Sequence, residues 1–304
     1  MVKLSKEKTA NILLLLTTVI WGGGFIVTKV AVDAGFPPSF VLAARFLLGV
    51  AFMLAVFWRD VVKISSEEFK VGCVAGGMLF LAFLVQTIGI KYTSPSNNAL
   101  ITSSNVVMVP FITWALMGKR PPLKTILLSF VCFIGMCILS YSPDVGLSFN
   151  KGDLLTLLCA FCYACHISFL GFSAGRIENV AALNFMQLLV AAVISGLYFL
   201  AFEFVPITLP QLYEGAIGLT FLGVFSTGLC FFMQSYAQKI LPPVRIAIML
   251  SLEGMFGSIL SVIMGYDALT VHLVLGAVII LSSLIALETD LIALINRSKK
   301  ESVQ

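Results

Sequence analysis

Amide and hydroxyl side chains cluster in residues 95–121, a stretch that is otherwise apolar and long enough to cross a bilayer. On a helix, Asn98, Thr102 and Asn105 lie along one stripe, because they are spaced i, i+4 and i+7. In a membrane such groups must face protein or a water-filled cavity, where they can hydrogen-bond a small polar solute. The stretch therefore predicts a buried polar binding site.

Glu253 is a carboxylate in the middle of an apolar run. A charge there costs about 2.5–3.5 kcal/mol to insert, which favours the protonated form and predicts that the group exchanges a proton with the site. Glu253 lies in residues 242–268, a stretch that repeats the proline and glycine positions of residues 95–121 at a spacing of 147. At this spacing Glu253 aligns with Val106. Pro110 removes the helical donor of the Val106 carbonyl, so both stretches are predicted to place polar groups at mid-span. A neutral Glu253 that hydrogen-bonds between helices is the structural alternative.

Arg45 is a second charged residue within an apolar run. It could neutralise Glu253 or hold a carboxylate through two parallel hydrogen bonds, and a structural ion pair or snorkelling is the alternative. Trp21, beside three glycines at mid-span, is predicted to form a wall of the cavity. The predicted substrate-binding residues are Trp21, Arg45, Asn98, Thr102, Asn105, His166, Gln187 and Glu253. No catalytic, cofactor-binding or metal-ligating residue is predicted.

Two short motifs suggest other chemistry. Residues 159–166, CAFCYACH, contain the CxxCH spacing of haem attachment, and residues 171–175, GFSAG, match the serine elbow of hydrolases. Both lie in or beside an apolar helix rather than in the turns that these functions need. We interpret them as packing residues, with the glycines allowing close helix contact, and we interpret the pair Gly72 and Gly76 in the same way. A membrane enzyme that uses Ser173 with His166 remains as the alternative.

The composition indicates an integral membrane protein. Of 304 residues, 59% are hydrophobic and 11% are charged, and the mean hydropathy is +1.03, whereas about a quarter of the residues in a soluble domain are charged. The net charge of +4 comes from basic residues in short loops, which argues against nucleic acid as a partner. The seven cysteines all fall inside apolar runs, where they act as small hydrophobic residues rather than disulfide partners.

The pattern of apolar runs predicts an all-α fold with ten transmembrane helices. The runs are 11–32, 39–57, 70–90, 96–117, 123–141, 153–172, 180–202, 213–234, 243–264 and 270–288. With the N-terminus inside, the inner loops carry fifteen Lys and Arg residues and the outer loops three, which places both termini in the cytoplasm.

The two halves of the chain are similar to each other. Pro95 and Pro242 align at a spacing of 147, as do Gly118 and Gly265. Because each half has five helices, the second copy starts on the opposite side of the membrane. The sequence thus predicts two inverted five-helix repeats, about 11–141 and about 153–288, in a single domain, 1–304.

Three segments carry a resemblance to a known family: TTVIWGGGFIVTKV, PPSFVLAARFLLG and MVPFITWALMGKRP. In this order, and with ten spans and a duplication, the chain resembles the EamA-type transporters of the drug/metabolite transporter superfamily. The resemblance implies inverted five-helix repeats and, in most members, export of amino acids or other small metabolites. The family often has an acidic residue after the glycine that closes helices four and nine, whereas this sequence has Lys119 and Tyr266.

Together these features predict a secondary active transporter that works by alternating access. We expect it to export small polar metabolites such as amino acids, with a proton as coupling ion, across the bacterial cytoplasmic membrane. The expected partners are a small-molecule substrate and membrane lipid, with the chain as a monomer or homodimer and without a cofactor. The alternatives are an uptake permease for metabolites of the same size, and the membrane-embedded enzyme.

Overall fold

The computed structural model describes residues 5–139, 150–266 and 268–301, and these form a bundle of α-helices. The predicted end of the first repeat, at 141, lies outside the described residues. The first half has α1 Lys6–Asp33, α2 Pro38–Val61, α3 Ser66–Gly89, α4 Pro95–Ser103, α5 Asn105–Met117 and α6 Leu123–Leu139. The second half has α7 Lys151–Ser173, α8 Val180–Tyr198, α9 Leu209–Thr220, α10 Cys230–Gln238, α11 Pro243–Leu250, α12 Leu252–Ile263 and α13 Val271–Glu301. A 3₁₀ turn follows α7, and π-helical segments follow α8 and α9, at Ala174–Arg176, Phe199–Glu203 and Phe221–Leu229.

Eight helical segments in the described part of the chain are long and apolar enough to cross a membrane. Each coincides with one predicted run, so these eight runs are confirmed as apolar helices of bilayer length. Two further apolar helices, Leu123–Ile138 and Val271–Ala286, are shorter. The count of ten crossings, and the cytoplasmic placement of the termini, stay predictions.

The two ends of the bundle can be told apart from the contacts between loops. At one end, Lys239 Nζ donates to the carbonyl of Glu178 at 3.2 Å, which joins the start of α11 to the end of α7. At the other end, Thr93 Oγ1 donates to Asp153 Oδ1 at 2.7 Å, which joins the start of α4 to the start of α7. We call these the terminal face and the opposite face. Since α4 and α11 start at different faces, the two broken helices run antiparallel.

The helix contacts follow a pseudo-twofold pattern. The contact of α3 with α7 is repeated by that of α10 with α1. The contact of α3 with α8 is repeated by that of the second π-helical segment with α2. The contact of α1 with α12 is repeated by that of α7 with α5, while α2 packs on α8 and α6 packs on α13. Each half therefore fits against the other with the same surfaces.

Each half contains one broken helix, and the breaks are equivalent. The first lies at Ser104, between α4 and α5, and the second lies at Ser251, between α11 and α12, again 147 residues apart. The Val107 amide bonds the Ser104 carbonyl at 3.1 Å, and the Gly254 amide bonds the Ser251 carbonyl at 3.2 Å, so both breaks tighten into one 3₁₀ turn.

The same alignment holds at the ends of these helices. Gly118 follows α5 with φ of 68° and Gly265 follows α12 with φ of 78°, the left-handed conformation in which glycine carries no Cβ penalty. Pro110 does not break the helix, because α5 continues through this residue. A proline is tolerated inside a membrane helix where local 3₁₀ adjustments satisfy the backbone groups that it leaves without partners. A 3₁₀ adjustment lies at Ser104, before Pro110.

Glycines allow α3 to approach α8 closely, as predicted for the pair at 72 and 76. A Cβ on Gly72 would lie 2.6 Å from Met186 Cβ, and one on Gly76 would lie 2.5 Å from the Gln187 carbonyl oxygen. The second predicted pair is only half confirmed. Gly171 packs against Pro243, whereas nothing lies within 4 Å of a Cβ built on Gly175.

Candidate substrate site

A cavity between the two halves brings together six of the eight predicted substrate-binding residues. These six are Trp21, Arg45, Asn98, Thr102, Asn105 and Glu253. The other lining residues are Gly24, Phe25, Thr28, Phe83, Gln86, Ile90, Tyr163, Ile167, Ser226, Gln234 and Leu250. The cavity thus draws on both repeats and on both broken helices.

The predicted polar stripe of α4 and α5 faces this cavity. Asn98 Nδ2 donates to Thr156 Oγ1 at 2.8 Å, and Gln86 Nε2 donates to Thr102 Oγ1 at 3.0 Å. The Oδ1 atoms of Asn98 and Asn105 are buried and accept no hydrogen bond from any described residue. The stripe therefore holds α4 to α7 through the Asn98 donor and to α3 through the Thr102 acceptor, and it keeps the Oδ1 atoms of Asn98 and Asn105 available inside the cavity.

Glu253 lies in the first turn of α12, directly after the break, and is 4% exposed. Its position follows from Gly254, where a Cβ would lie 3.0 Å from Ser103 Oγ, so that α12 can approach the end of α4 closely. Among the described residues the Glu253 carboxylate has no hydrogen bond and no ion pair. A buried carboxylate without a partner is costly in a membrane and is a candidate functional group for that reason.

Arg45 lies across the cavity from α12 and is also 4% exposed. Its Nε donates to Thr227 Oγ1 at 2.9 Å and its Nη2 donates to Ser226 Oγ at 3.2 Å. The guanidinium stacks on Phe83, 4.2 Å from the ring centroid. No acidic group within the described part of the chain lies within 4 Å of it, so Arg45 and Glu253 form no direct ion pair in this conformation. An arginine and a carboxyl group therefore face one cavity without pairing.

Trp21 forms part of the cavity wall. Its Nε1 donates to the Ser226 carbonyl at 2.7 Å, and its ring lies 5.1 Å from that of Phe231. Both contacts fix the indole, so the cavity has one rigid aromatic side.

His166 and Gln187 do not line the cavity. His166 Nε2 and Gln187 Oε1 are 3.1 Å apart, and Gln187 Nε2 donates to Asn184 Oδ1 at 2.8 Å and to Ser235 Oγ at 3.4 Å. Asn184 Nδ2 in turn donates to the Gly228 carbonyl at 3.2 Å. These four side chains, His166, Asn184, Gln187 and Ser235, form what we call the α7–α8–α10 cluster. His166 on α7, and Asn184 and Gln187 on α8, face α10 rather than the helix breaks. The spacing of residues along a single helix could not show which neighbouring helix they face.

The cavity is small in this conformation. The volume open to the centre of a water molecule is about 30 Å³, and one water needs about 10–15 Å³ by that measure. The cavity therefore has room for about two waters in this conformation.

Sequence reasoning missed several lining residues. Gln86, Tyr163, Ser226 and Gln234 each interrupt an apolar span, and this is the signal that could have identified them. Gln234 Oε1 is a further buried acceptor without a donor among the described residues.

The residues of the enzyme alternative are not arranged for catalysis. Ser173 Oγ accepts from Arg176 Nη2 at 3.4 Å, while His166 is bonded to Gln187. Both residues are fully buried in α7, seven positions apart in the sequence. A serine nucleophile needs its base within hydrogen-bond reach, and the described residues provide no such pair here.

Comparison with known proteins agrees with the duplicated membrane fold. The model of the EamA-like transporter family matches residues 8–141 and 150–289, one copy for each half. The chain belongs to this family. The EamA family is part of the drug/metabolite transporter superfamily.

Relatives of this EamA protein are also named as transporters. An uncharacterized transporter of Archaeoglobus fulgidus is 30% identical over 92% of the chain and 86% of its own length. The uncharacterized transporter YyaM of Bacillus subtilis is 28% identical over 52% of the chain and 54% of its own length. A solved crystal structure with 17% identity covers 91% of the chain and 95% of its own length with a TM-score of 0.72, which supports the fold alone. The protein is thus a multi-pass membrane transporter.

Proposed function

We propose that this EamA transporter is a secondary carrier that exports small polar metabolites such as amino acids, with proton exchange at Glu253 coupled to alternating access. The observation that supports this most is the pair of antiparallel broken helices that meet at one cavity. Inverted repeats with discontinuous helices at a central site are typical of carriers that expose one site to each side in turn.

The charges in the cavity support the substrate class. A zwitterionic amino acid offers a carboxylate for Arg45 and an ammonium group for Glu253, and both side chains lack an ionic partner among the described residues. The acceptor oxygens of Asn98, Asn105 and Gln234 suit the ammonium donors. Tyr163 lines the same cavity as Arg45 and Glu253, so a small solute could contact all three side chains.

The proton step follows from the environment of Glu253. With the cavity empty the protonated form is favoured, because no cation or donor among the described residues stabilises the carboxylate. An arriving ammonium group would favour the charged form and release the proton. Substrate and proton would then occupy Glu253 alternately, which is the exchange that an exporter driven by an inward proton gradient needs.

Flux measurements in proteoliposomes test the proposal. Purified protein is assayed with a panel of labelled amino acids, first for exchange at equal pH and then for net flux under an imposed pH gradient. We expect exchange for at least one amino acid and faster net flux when protons move in the opposite direction. In Glu253→Gln the gradient should no longer accelerate flux, while exchange persists.

Ser258→Ala is the matched control, because Ser258 lies on α12 outside the cavity and its hydroxyl bonds its own helix at the Gly254 carbonyl, 2.9 Å away. Absence of flux for the whole panel would refute the substrate class. Gradient-driven flux through Glu253→Gln at the unmodified rate would refute the proton step. Accumulation of solute inside cells that express the protein would favour the uptake permease over the exporter.

A further inference from the structure

The second π-helical segment, Phe221–Leu229, lies beside both Arg45 and Trp21. In this segment the Cys230 amide bonds the Phe225 carbonyl five residues back and so passes over the Ser226 carbonyl. That carbonyl accepts from Trp21 Nε1 at 2.7 Å. The irregular turn therefore uses its freed acceptor to hold one wall of the cavity.

The same turn holds the guanidinium of Arg45. Its two consecutive hydroxyls, on Ser226 and Thr227, accept from Nη2 and Nε at 3.2 and 2.9 Å. A guanidinium has five N–H donors in a fixed planar fork. These two contacts occupy the Nε–Nη2 edge and leave the Nη1–Nη2 end for another partner.

That end has no partner among the described residues. Arg45 is 4% exposed, and no acidic side chain in the described part of the chain lies within 4 Å of it. The two hydroxyls are neutral, so they satisfy two donors without compensating the positive charge. An uncompensated buried charge is stabilised by an anion that accepts bidentate hydrogen bonds, and a carboxylate has the matching spacing of two oxygens.

We propose that Arg45 forms a carboxylate subsite and that Ser226 and Thr227 are its positioning residues, which orient the guanidinium so that its Nη1–Nη2 end faces the cavity. The inference rests on the proposed function for its transported substrate, but the subsite itself predicts anion binding whether or not amino acids are transported. Thr227 determines the orientation of the Arg45 guanidinium, and so it determines the preference of the subsite for a carboxylate over a neutral amide.

Intrinsic fluorescence can report this binding, because Trp21 is held by the same turn. The chain has three tryptophans, and Trp58 and Trp114 are 54% and 40% exposed on the outside of the bundle. Changing both to Phe leaves Trp21 as the reporter. The probe is acetate, which is small enough for the closed cavity, titrated into protein in nanodiscs at constant ionic strength. Acetamide and chloride are titrated in parallel.

We expect acetate to change the Trp21 signal saturably and acetamide and chloride not to. Arg45→Gln should raise the Kd for acetate by about 10- to 100-fold, because hydrogen bonds to a charged group are lost. Thr227→Val should raise it by about 2- to 10-fold, the effect of one neutral hydrogen bond, and Thr227→Ser should restore binding. Thr18→Val is the matched control, since the Thr18 hydroxyl is buried outside the cavity and bonds its own helix at the Leu15 carbonyl, 2.8 Å away.

Four outcomes would overturn the proposal or part of it. An equal response to acetate and acetamide, or the absence of any response to acetate, would exclude a carboxylate subsite. Acetate binding of unchanged strength in Arg45→Gln would place the anion elsewhere. Unchanged binding in Thr227→Val would remove the positioning role, and thermal midpoints for all variants show that they fold. A positive acetate result with no amino acid flux would refute the proposed substrate and leave the subsite intact.

Discussion

Two polar regions lie inside the bundle, and they differ in how their hydrogen-bonding groups are satisfied. In the cavity, Arg45 and Glu253 are buried without an ionic partner among the described residues. In the α7–α8–α10 cluster, side chains bond mainly to one another, as Gln187 does to His166, Asn184 and Ser235. Unpaired polar groups carry a free-energy cost that a bound solute can remove, whereas paired groups hold helices together. The difference supports the proposal that the cavity binds the solute, and it suits the cluster to a stabilising role.

The largest effect on transport is expected at Glu253. Glu253→Gln should reduce net substrate flux by about 100-fold or more, the scale on which removal of a positioned proton-transfer group acts. Its thermal midpoint should stay equal or rise, because the variant replaces an unpaired acid by a neutral amide of the same shape. Flux in proteoliposomes and a melting curve in detergent measure both quantities. A fall of the midpoint in parallel with the flux would make Glu253 a structural residue.

The opposite result is expected in the α7–α8–α10 cluster. Gln187→Leu should lower the free energy of unfolding by about 1–3 kcal/mol, because buried partners are left without hydrogen bonds. The KM of transport should change less than about twofold, since a side chain outside the cavity does not contact substrate. Thermal stability and transport kinetics on the same preparation test this. An increase in KM without a loss of stability would support the prediction that His166 and Gln187 bind substrate.

A smaller effect is expected within the cavity, at Thr102. Thr102→Val removes the acceptor of Gln86 Nε2, which is 3.0 Å away, and should raise KM by about 2- to 10-fold through one lost hydrogen bond. Ser103→Ala is the control on the same helix, because the Ser103 hydroxyl bonds the Ala99 carbonyl at 2.9 Å and does not line the cavity. Equal KM values for the two variants would show that the stripe does not contact the substrate.

The smallest effect is expected at Ser173. Ser173→Ala should leave transport within about twofold of the unmodified protein, as is usual for substitutions away from a site. The side chain is buried at the end of α7 and bonded to Arg176 rather than to a histidine. Loss of all function in this variant, with the fold retained, would revive the enzyme alternative.

Much of the fold could be predicted from local patterns. The apolar runs located the helices of the described part, and the spacing of 147 aligned Pro95 with Pro242 and Gly118 with Gly265, each pair at equivalent helix ends in the structure. The same spacing also aligns Ser104 with Ser251, but a serine in a membrane span has no strong signature of a break. Pro110 has one, yet α5 continues through it.

The site could be predicted only in part, because residues on separate helices come together by packing. The stripe on α4 and the charges Arg45 and Glu253 were identified because polar residues are rare in membrane spans. His166 was equally rare, yet it faces α10. Ser226 and Thr227 gave only a weak signal, since small hydroxyl residues occur in many membrane helices and the π-helical turn that exposes them depends on tertiary contacts.

The pseudo-twofold contacts have a consequence for how such a chain can be assembled. Where α2 meets α8 and α6 meets α13, corresponding helices of the two halves touch each other, as in the self-complementary interface of a homodimer. Each half thus presents a surface that binds an inverted copy of the same fold. Expressed as two separate polypeptides, the halves should find each other in the bilayer as an antiparallel pair.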